Sequence, residues 1–335
     1  MKKLRAATAV ALMTVGVYAQ GQVIRVWWHA PRDHAQHHGP DDHHGPGPYD
    51  HHHHDDMGDL VIAWEEGYRK AHPEVTFENS QVGDEAGIGG LYAGAADLAM
   101  MDRPPLPIEV DGYQQGEGHD PTGVTVATGS VHNAHHAPAL AVVVAPGNPI
   151  TSMTLAQLDA VFDADHRRGM ERVHTWGDLG LTGEWAGRPV HLYGFGLNQD
   201  ESFLFEHDVM NGSQKWREGL HEAGTPQAVS AAVAKDPNGI GITSLDGASS
   251  AVKVLAVQDD QGNVVQPTPE TLREGRYALE RHVYAYFNRD KKGEFAIVQK
   301  FVEYCLSDEG QTMAQSAGFL PLSSHVVAES REAVR

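Results

Sequence analysis

The stretch LVIAWEEGYRKAHPEVTFE, residues 60–78, decides the fold. Apolar side chains from Leu60 to Tyr68 recur every three or four positions, which predicts one buried face of an α-helix. Pro73 ends this helix, because proline cannot continue the helical hydrogen bonding. The next residues, VTFEN (75–79), are rich in β-branched and aromatic side chains and predict a strand.

The residues on either side extend this helix–strand pair into a longer alternation. VIRVWW (23–28) predicts a buried strand before it, GDEAGIGGLYAG (83–94) a turn that enters a helix near Asp84, and ADLAMM (96–101) a second buried strand. Strand, helix, strand, helix and strand in that order predict an α/β layer built on a parallel sheet.

The rest of the chain also contains predicted helices and strands. Helices are predicted at 154–162, 202–210, 225–234 and 295–306, and strands at VTVATGS (124–130), ALAVVVAP (139–146), VHLYGF (190–195), GIGITSL (239–245) and VYAYFN (283–288). No internal repeat is visible. The fold class predicted for the whole chain is therefore α/β.

The first residues predict export from the cytoplasm. Lys2, Lys3 and Arg5 precede an uncharged, mostly apolar run (6–17), and small residues stand before a cleavage site after Ala19. This order is typical of a signal peptide spanning residues 1–19, and a run of about 12 residues is too short to cross a bilayer. The alternative is a buried N-terminal helix. We expect a soluble protein in the periplasm or secreted.

Composition excludes several classes of function. The net charge of −20 argues against nucleic acid and anionic membranes as partners, because both require a basic face. The lone Cys305 excludes an internal disulfide framework, and no lipid-anchoring cysteine follows the cleavage site. No GxSxG, P-loop or HExxH motif is present, so we do not expect an enzyme.

A histidine-rich tract, residues 29–56, follows the first strand. The chain has 22 histidines, and ten of them lie in this tract: His29, His34, His37, His38, His43, His44, His51, His52, His53 and His54. Imidazoles and carboxylates suit Zn²⁺, Ni²⁺ or Cu²⁺, so the tract predicts capture of a divalent transition metal. The alternative is a solvated low-complexity loop of weak affinity. No other cofactor is expected.

A second histidine cluster has the spacing HxxHH. His132, His135 and His136 lie between two predicted strands and could present two imidazoles to one ion. Three exposed loop histidines would give the same spacing, and the sequence does not separate the two interpretations.

Several strings together resemble the periplasmic solute-binding proteins of phosphate-type ABC transporters. They are LVIAWEEGYRKAHPEVTFE (60–78), AGIGGLYAGAADLAMMDRP (86–104), LAVVVAPGNPITSMTLAQLDAVF (140–162), TWGDLG (175–180), GEWAGRPVHLYG (183–194), GIGITSL (239–245) and SDEGQTMAQSAGFLPL (307–322). The resemblance implies a two-lobed periplasmic binding protein fold of type II with a ligand cleft between the lobes. On this basis we expect residues 20–145 and 246–335 to form lobe 1, with the histidine-rich insert, and residues 146–245 to form lobe 2.

The resemblance also implies which groups hold the ligand and which membrane partner receives it. Members of the family hold an oxyanion with helix N-termini, Ser/Thr hydroxyls and an arginine, an arrangement that matches anion chemistry. They deliver it to an ABC permease, and we expect a monomer.

The positions that would bind the ligand depart from the family pattern. The histidine tract replaces the first binding loop, and Phe195 stands where the family often has an arginine. Polar residues at the other binding positions are the candidate ligand contacts: Asp84, Glu85, Asp102, Arg103, Gln199, Asp200 and Glu201. Asp102 could accept from a protonated ligand or ligate a cation, whereas Arg103 could pair with Asp102 or face a phosphate.

These departures favour a cleft altered to bind a divalent transition metal, alone or together with an anion. Two carboxylates directed into the cleft would repel phosphate, since each like-charge contact near 4 Å costs on the order of 4 kcal/mol. One alternative is binding of phosphate or a related oxyanion, with the histidine tract as an accessory. A second is a metal-buffering or interaction protein without a role in transport.

Overall fold

The computed structural model describes residues 22–28, 56–130, 138–194 and 200–335. In these ranges the elements are β1 (Gln22–Trp28), α1 (Asp56–Ala71), β2 (Val75–Gln81), α2 (Asp84–Tyr92), β3 (Leu98–Met101), α3 (Pro107–Glu117), β4 (Thr122–Thr128), β5 (Leu140–Val144), β6 (Ser152–Thr154), α4 (Leu155–Phe162), a 3₁₀ turn (Gly183–Trp185), β7 (His191–Gly194), α5 (Asp200–Asp208), β8 (Leu220–Glu222), α6 (Pro226–Lys235), β9 (Gly239–Ser244), β10 (Lys253–Val254), β11 (Ala256–Gln258), β12 (Val264–Val265), α7 (Pro269–Arg273), β13 (His282–Phe287), α8 (Lys292–Cys305), α9 (Asp308–Ser316) and α10 (Ser324–Val334). None of the helices in this described part is both long and apolar enough to cross a bilayer.

The first sheet has the strand order β2-β1-β3-β13-β4. Strands β1, β2 and β3 are parallel, and β13 runs antiparallel to both β3 and β4. The carboxyl ends of β1, β3 and β4 therefore share one edge with the amino end of β13. This arrangement confirms the predicted α/β layer.

The second sheet has the order β10-β5-β9-β7-β8. Strand β7 is parallel to β8 and β9, whereas β5 is antiparallel to β9. The carboxyl ends of β7 and β9 consequently share an edge with the amino end of β5. A small third sheet, β12-β11-β6, packs beside this one.

Two sets of apolar cores divide the chain into two lobes. One set joins β1, β3, β4 and β13 with α1, α8 and α9, and the other is built from residues between Ala139 and Leu279. Where the chain crosses between the lobes, its two crossing segments are hydrogen-bonded side by side: Leu140 donates its backbone N–H to the Leu279 carbonyl (2.9 Å), and Gly129 donates to the Arg281 carbonyl (3.0 Å). The two-lobed α/β fold predicted from the sequence is confirmed.

The packing differs from the predicted division in two places. Residues 139–145 and 246–279 were expected in lobe 1, but their buried side chains belong to the second lobe. The reason is pairing between short strands: β10 pairs with β5 through Lys253 and Val144, and β11 pairs with β6. Lobe 2 therefore extends to about residue 279, and β13 begins the return to lobe 1.

Local sequence explains where the helices near the cleft begin. Gly83 precedes α2 with φ of 77°, a conformation that favours glycine, so the helix starts at Asp84 as predicted. Thr154 caps α4: its hydroxyl accepts from the Gln157 amide, and the Gln157 side chain accepts from the Thr154 amide.

Candidate ligand-binding cleft

The candidate site lies where the two sheet edges meet at the lobe crossing. Asp102 follows β3, and Arg281 immediately precedes β13, so both stand at the same edge of the first sheet. Glu201 lies in the first turn of α5, the helix that follows β7 in lobe 2. Contacts between these three side chains join the lobes.

Arg281 is the centre of this group. The residue is 4% exposed, and its guanidinium donates through Nη2 to Asp102 Oδ2. Its Nη1 lies 3.4 Å from Glu201 Oε1. A buried guanidinium is costly unless opposite charges compensate it, and these two carboxylates do so from opposite lobes. The three groups together carry a formal charge of minus one.

The two carboxylates differ in how tightly they are held. The Asp102 side chain is 8% exposed and belongs to the same lobe as the amino end of β13. The Glu201 side chain is 24% exposed and reaches Arg281 across the cleft. The Arg281–Asp102 pair is thus the fixed part of the site, and Glu201 is the part that solvent reaches.

Buried hydroxyls lie along the same two edges. Ser130 follows β4, Ser202 follows Glu201 in α5, and Ser244 ends β9. The Ser244 hydroxyl has no hydrogen-bond partner within the ranges the structure describes. Hydroxyls and the backbone N–H groups of a helix first turn, such as that of α5, are the donors that suit an anion.

Arg103 is engaged away from Arg281. It is 2% exposed, and its two terminal nitrogens donate to the Glu109 carboxylate at 2.8 and 2.9 Å. Glu109 also accepts from the Leu106 amide, which fixes the start of α3. Arg103 has two predicted roles, pairing with Asp102 or facing a phosphate, and neither involves Glu109. The bidentate bond to Glu109 holds α3 against the end of β3.

A cavity adjoins the crossing beside Arg281. It has a volume of about 360 Å³, and residues of lobe 2, the crossing and β13 line it. Glu280 and His282, which flank Arg281 in the chain, both line this cavity and pair at 2.7 Å. Burial raises the pKa of the Glu280 carboxyl, and the hydrogen bond to His282 opposes that effect.

The other predicted residues lie at helix starts or outside the described residues. Asp84 and Glu85 begin α2 and Asp200 begins α5, so their backbones occupy helix first turns. Gln199, Phe195 and every histidine predicted as a metal ligand lie outside the described residues. Within the described ranges, no three His, Cys, Asp or Glu side chains are placed to hold a metal ion.

The sequence missed Arg281 and therefore misjudged the charge of the cleft. From the sequence, Phe195 takes the place of the family's arginine, two carboxylates repel phosphate, and Arg103 is the one arginine named as a candidate phosphate contact. The structure corrects this: an arginine 179 positions from Asp102 occupies the cleft and pairs with both carboxylates. The one available signal was an arginine directly before a buried strand in LERHVYAYFN (279–288).

Comparisons with known proteins agree with this architecture. The model of the family described as the PBP superfamily domain matches residues 57–309. The chain is 30% identical over 279 residues to the phosphate-binding protein PstS of Pseudomonas aeruginosa, covering 82% of this chain and 83% of that protein.

Solved structures show the same fold at lower sequence identity. PstS from Borrelia burgdorferi gives a TM-score of 0.61 at 14% identity, covering 90% of this chain and all of that one. A possible phosphate binding protein from Planctomyces limnophilus gives 0.56 at 19% identity, covering 94% and 98%.

Proposed function

Because the chain belongs to the phosphate-type solute-binding proteins of ABC transporters, within the PBP superfamily, we propose that it captures a phosphate-type oxyanion between its lobes. The observation that carries the proposal is Arg281, a buried arginine at the point where both lobes meet. The oxyanion alternative drawn from the sequence is thereby preferred to the metal-binding cleft.

Each group around Arg281 has a defined chemical role in this proposal. The planar guanidinium of Arg281 offers a fork of N–H donors that matches two oxygens of a tetrahedral anion. A carboxylate can only accept, so Asp102 takes a hydrogen bond from a protonated ligand oxygen. The first turn of α5 and the Ser202 hydroxyl supply further donors and a partial positive charge.

The same contacts argue against a metal in the cleft. Asp102 and Glu201, the carboxylates that could ligate a cation in the cleft, both contact Arg281. A cation could use these two carboxylates only by displacing the guanidinium that both of them already contact. Metal capture is therefore assigned only to the histidine tract, as an accessory.

The biological setting of this proposal draws on family membership and on the pattern of residues 1–19. The chain is exported with cleavage after Ala19, acts as a monomer, and delivers its ligand to an ABC permease. One relative of known structure, with a TM-score of 0.55, is described as an ABC-type phosphate transport receptor from Vibrio cholerae, which supports this assignment by fold.

Titration calorimetry on untagged, chelator-stripped protein tests the assignment. We expect one-to-one binding of inorganic phosphate without metal, both in the full mature chain and after deletion of residues 32–56. Zinc binding should be lost with the deletion. One-to-one zinc binding that survives the deletion, together with no response to phosphate, would return the function to the metal-binding cleft.

A further inference from the structure

Glu201 occupies the side of Arg281 that faces lobe 2. Its carboxylate lies 3.4 Å from Nη1, whereas Nη2 is held by Asp102. We infer that Glu201 is an internal competitor of the ligand: it holds Arg281 in the absence of an oxyanion and is displaced when one binds. The inference rests on the proposed oxyanion function and adds a residue that sets affinity and specificity.

The contacts of Arg281 with Glu201 and with Asp102 differ in strength and in exposure, as they must if Glu201 is the group that is displaced. Charge-assisted N–H···O bonds are normally about 2.7–2.9 Å long, so the contact to Glu201 at 3.4 Å is a loose one. The Glu201 side chain is also 24% exposed, against 8% for Asp102. Glu201 can turn towards solvent by side-chain rotation, whereas Asp102 is enclosed beside β3.

The position of Glu201 imitates that of a bound anion. A carboxylate in the first turn of a helix is stabilised by the partial positive charge of the N-terminus, and α5 is nine residues long. Glu201 therefore receives from α5 and Arg281 the two interactions that the proposed ligand would use. An oxyanion and Glu201 cannot both occupy this place without bringing two negative charges into contact.

Competition of this kind selects the class of ligand. A group attached to the same chain acts at an effective concentration in the millimolar range or above, so a dilute monocarboxylate cannot replace it. A successful ligand must make bonds that Glu201 does not make, for example by donating a proton to Asp102 while accepting two bonds from Arg281. A protonated tetrahedral oxyanion meets both conditions, whereas ionised acetate can accept two bonds from a guanidinium but has no proton to donate to Asp102.

The substitution Glu201→Gln removes the competing charge while keeping the side-chain shape. Glu218→Gln is the matched control, because Glu218 is exposed and lies just before β8. The amino end of β8 is at the edge of the second sheet that faces away from the cleft. Calorimetric titration with inorganic phosphate should give at least about tenfold tighter binding for Glu201→Gln than for the unchanged protein. Glu218→Gln should stay within about twofold, and Glu201→Asp should lie between.

Each outcome of the phosphate titration either supports or overturns the role of Glu201 as a competitor. If the unchanged protein binds phosphate and Glu201→Gln binds it equally well or more weakly, Glu201 is not a competitor of the ligand. The proposed function would still stand. Binding by Glu201→Gln alone supports the competitor role strongly, because removal of the carboxylate then exposes the site. Absence of binding in both overturns the competitor and the proposed function together. Thermal unfolding of all variants confirms that the lobes are folded.

Discussion

Glu65 is a buried carboxyl outside the cleft whose titration should control the stability of lobe 1. It lies in α1 with 2% of its surface exposed, and its Oε2 accepts one hydrogen bond from Asn79 at 2.9 Å. Its Oε1 is buried with no partner in the described part of the chain. Burial raises the pKa of this carboxyl from 4.5 to about 7, and the bond from Asn79 opposes the rise.

The sign of the pH dependence follows from proton binding. The folded state holds the Glu65 proton more tightly than the unfolded state, so this contribution to stability is complete below pH 4.5 and is lost as pH rises through about 7. The difference between the two pKa values corresponds to a loss of about 3 kcal/mol across that window. Above it, the folded protein carries a charged carboxylate in an apolar core.

The substitution Glu65→Gln should remove this loss. The amide is neutral at every pH and can still accept from Asn79. Urea unfolding should give a free energy of unfolding about 2–3 kcal/mol higher for the variant at pH 8, with little difference at pH 4.5. The exposed Glu332→Gln serves as control and should change neither value by more than about 0.5 kcal/mol. A variant that is less stable at pH 8 would refute the reasoning.

Three further predictions concern other parts of the molecule. Gly310→Ala should lower the free energy of unfolding in urea by about 1–3 kcal/mol, because a Cβ there would press on the carbonyls of Tyr304 and Cys305. Gly147 has open space around it, so Gly147→Ala should leave the free energy of unfolding unchanged in the same experiment. Burial and the neighbouring Asp163 raise the pKa of Asp159, so Asp159→Asn should gain stability at pH 8 relative to pH 4; equal effects at both pH values would contradict this. Zinc affinity of the histidine tract, measured by dye competition, should fall as pH drops through about 6.5, and a flat response from pH 8 to 5 would exclude imidazole ligation.

The fold was predictable because its signals are local. The helix at 60–72 and the strand at 75–79 correspond to α1 and β2 within a few residues, since apolar spacing and Pro73 mark them directly. Helix α3 was not predicted: its sequence PIEVDGYQQGE contains two glycines and buries only Tyr113, so it has no clear apolar face. The extent of lobe 2 was also missed, because strands of two or three residues leave little pattern to read.

The site was less predictable because its contacts are distant in the chain. Asp102 and Glu201 were named from their positions at a strand end and a helix start. Their partner Arg281 lies 179 and 80 positions away from them, and its place directly before a buried strand is the sole local signal for it. Only the topology, which returns β13 to the edge shared with β3, brings these charges together.

The central claim is that Arg281 binds an oxyanion in the cleft. The most direct test is calorimetric titration of the chelator-stripped protein and Arg281→Gln with inorganic phosphate, alongside Arg289→Gln, an exposed arginine just beyond the other end of β13. We expect one-to-one binding that Arg281→Gln weakens at least about 30-fold, because loss of a buried charge partner costs about 2 kcal/mol or more. Arg289→Gln should bind like the unchanged protein. Phosphate binding unaffected by Arg281→Gln, in a folded variant, would contradict the account.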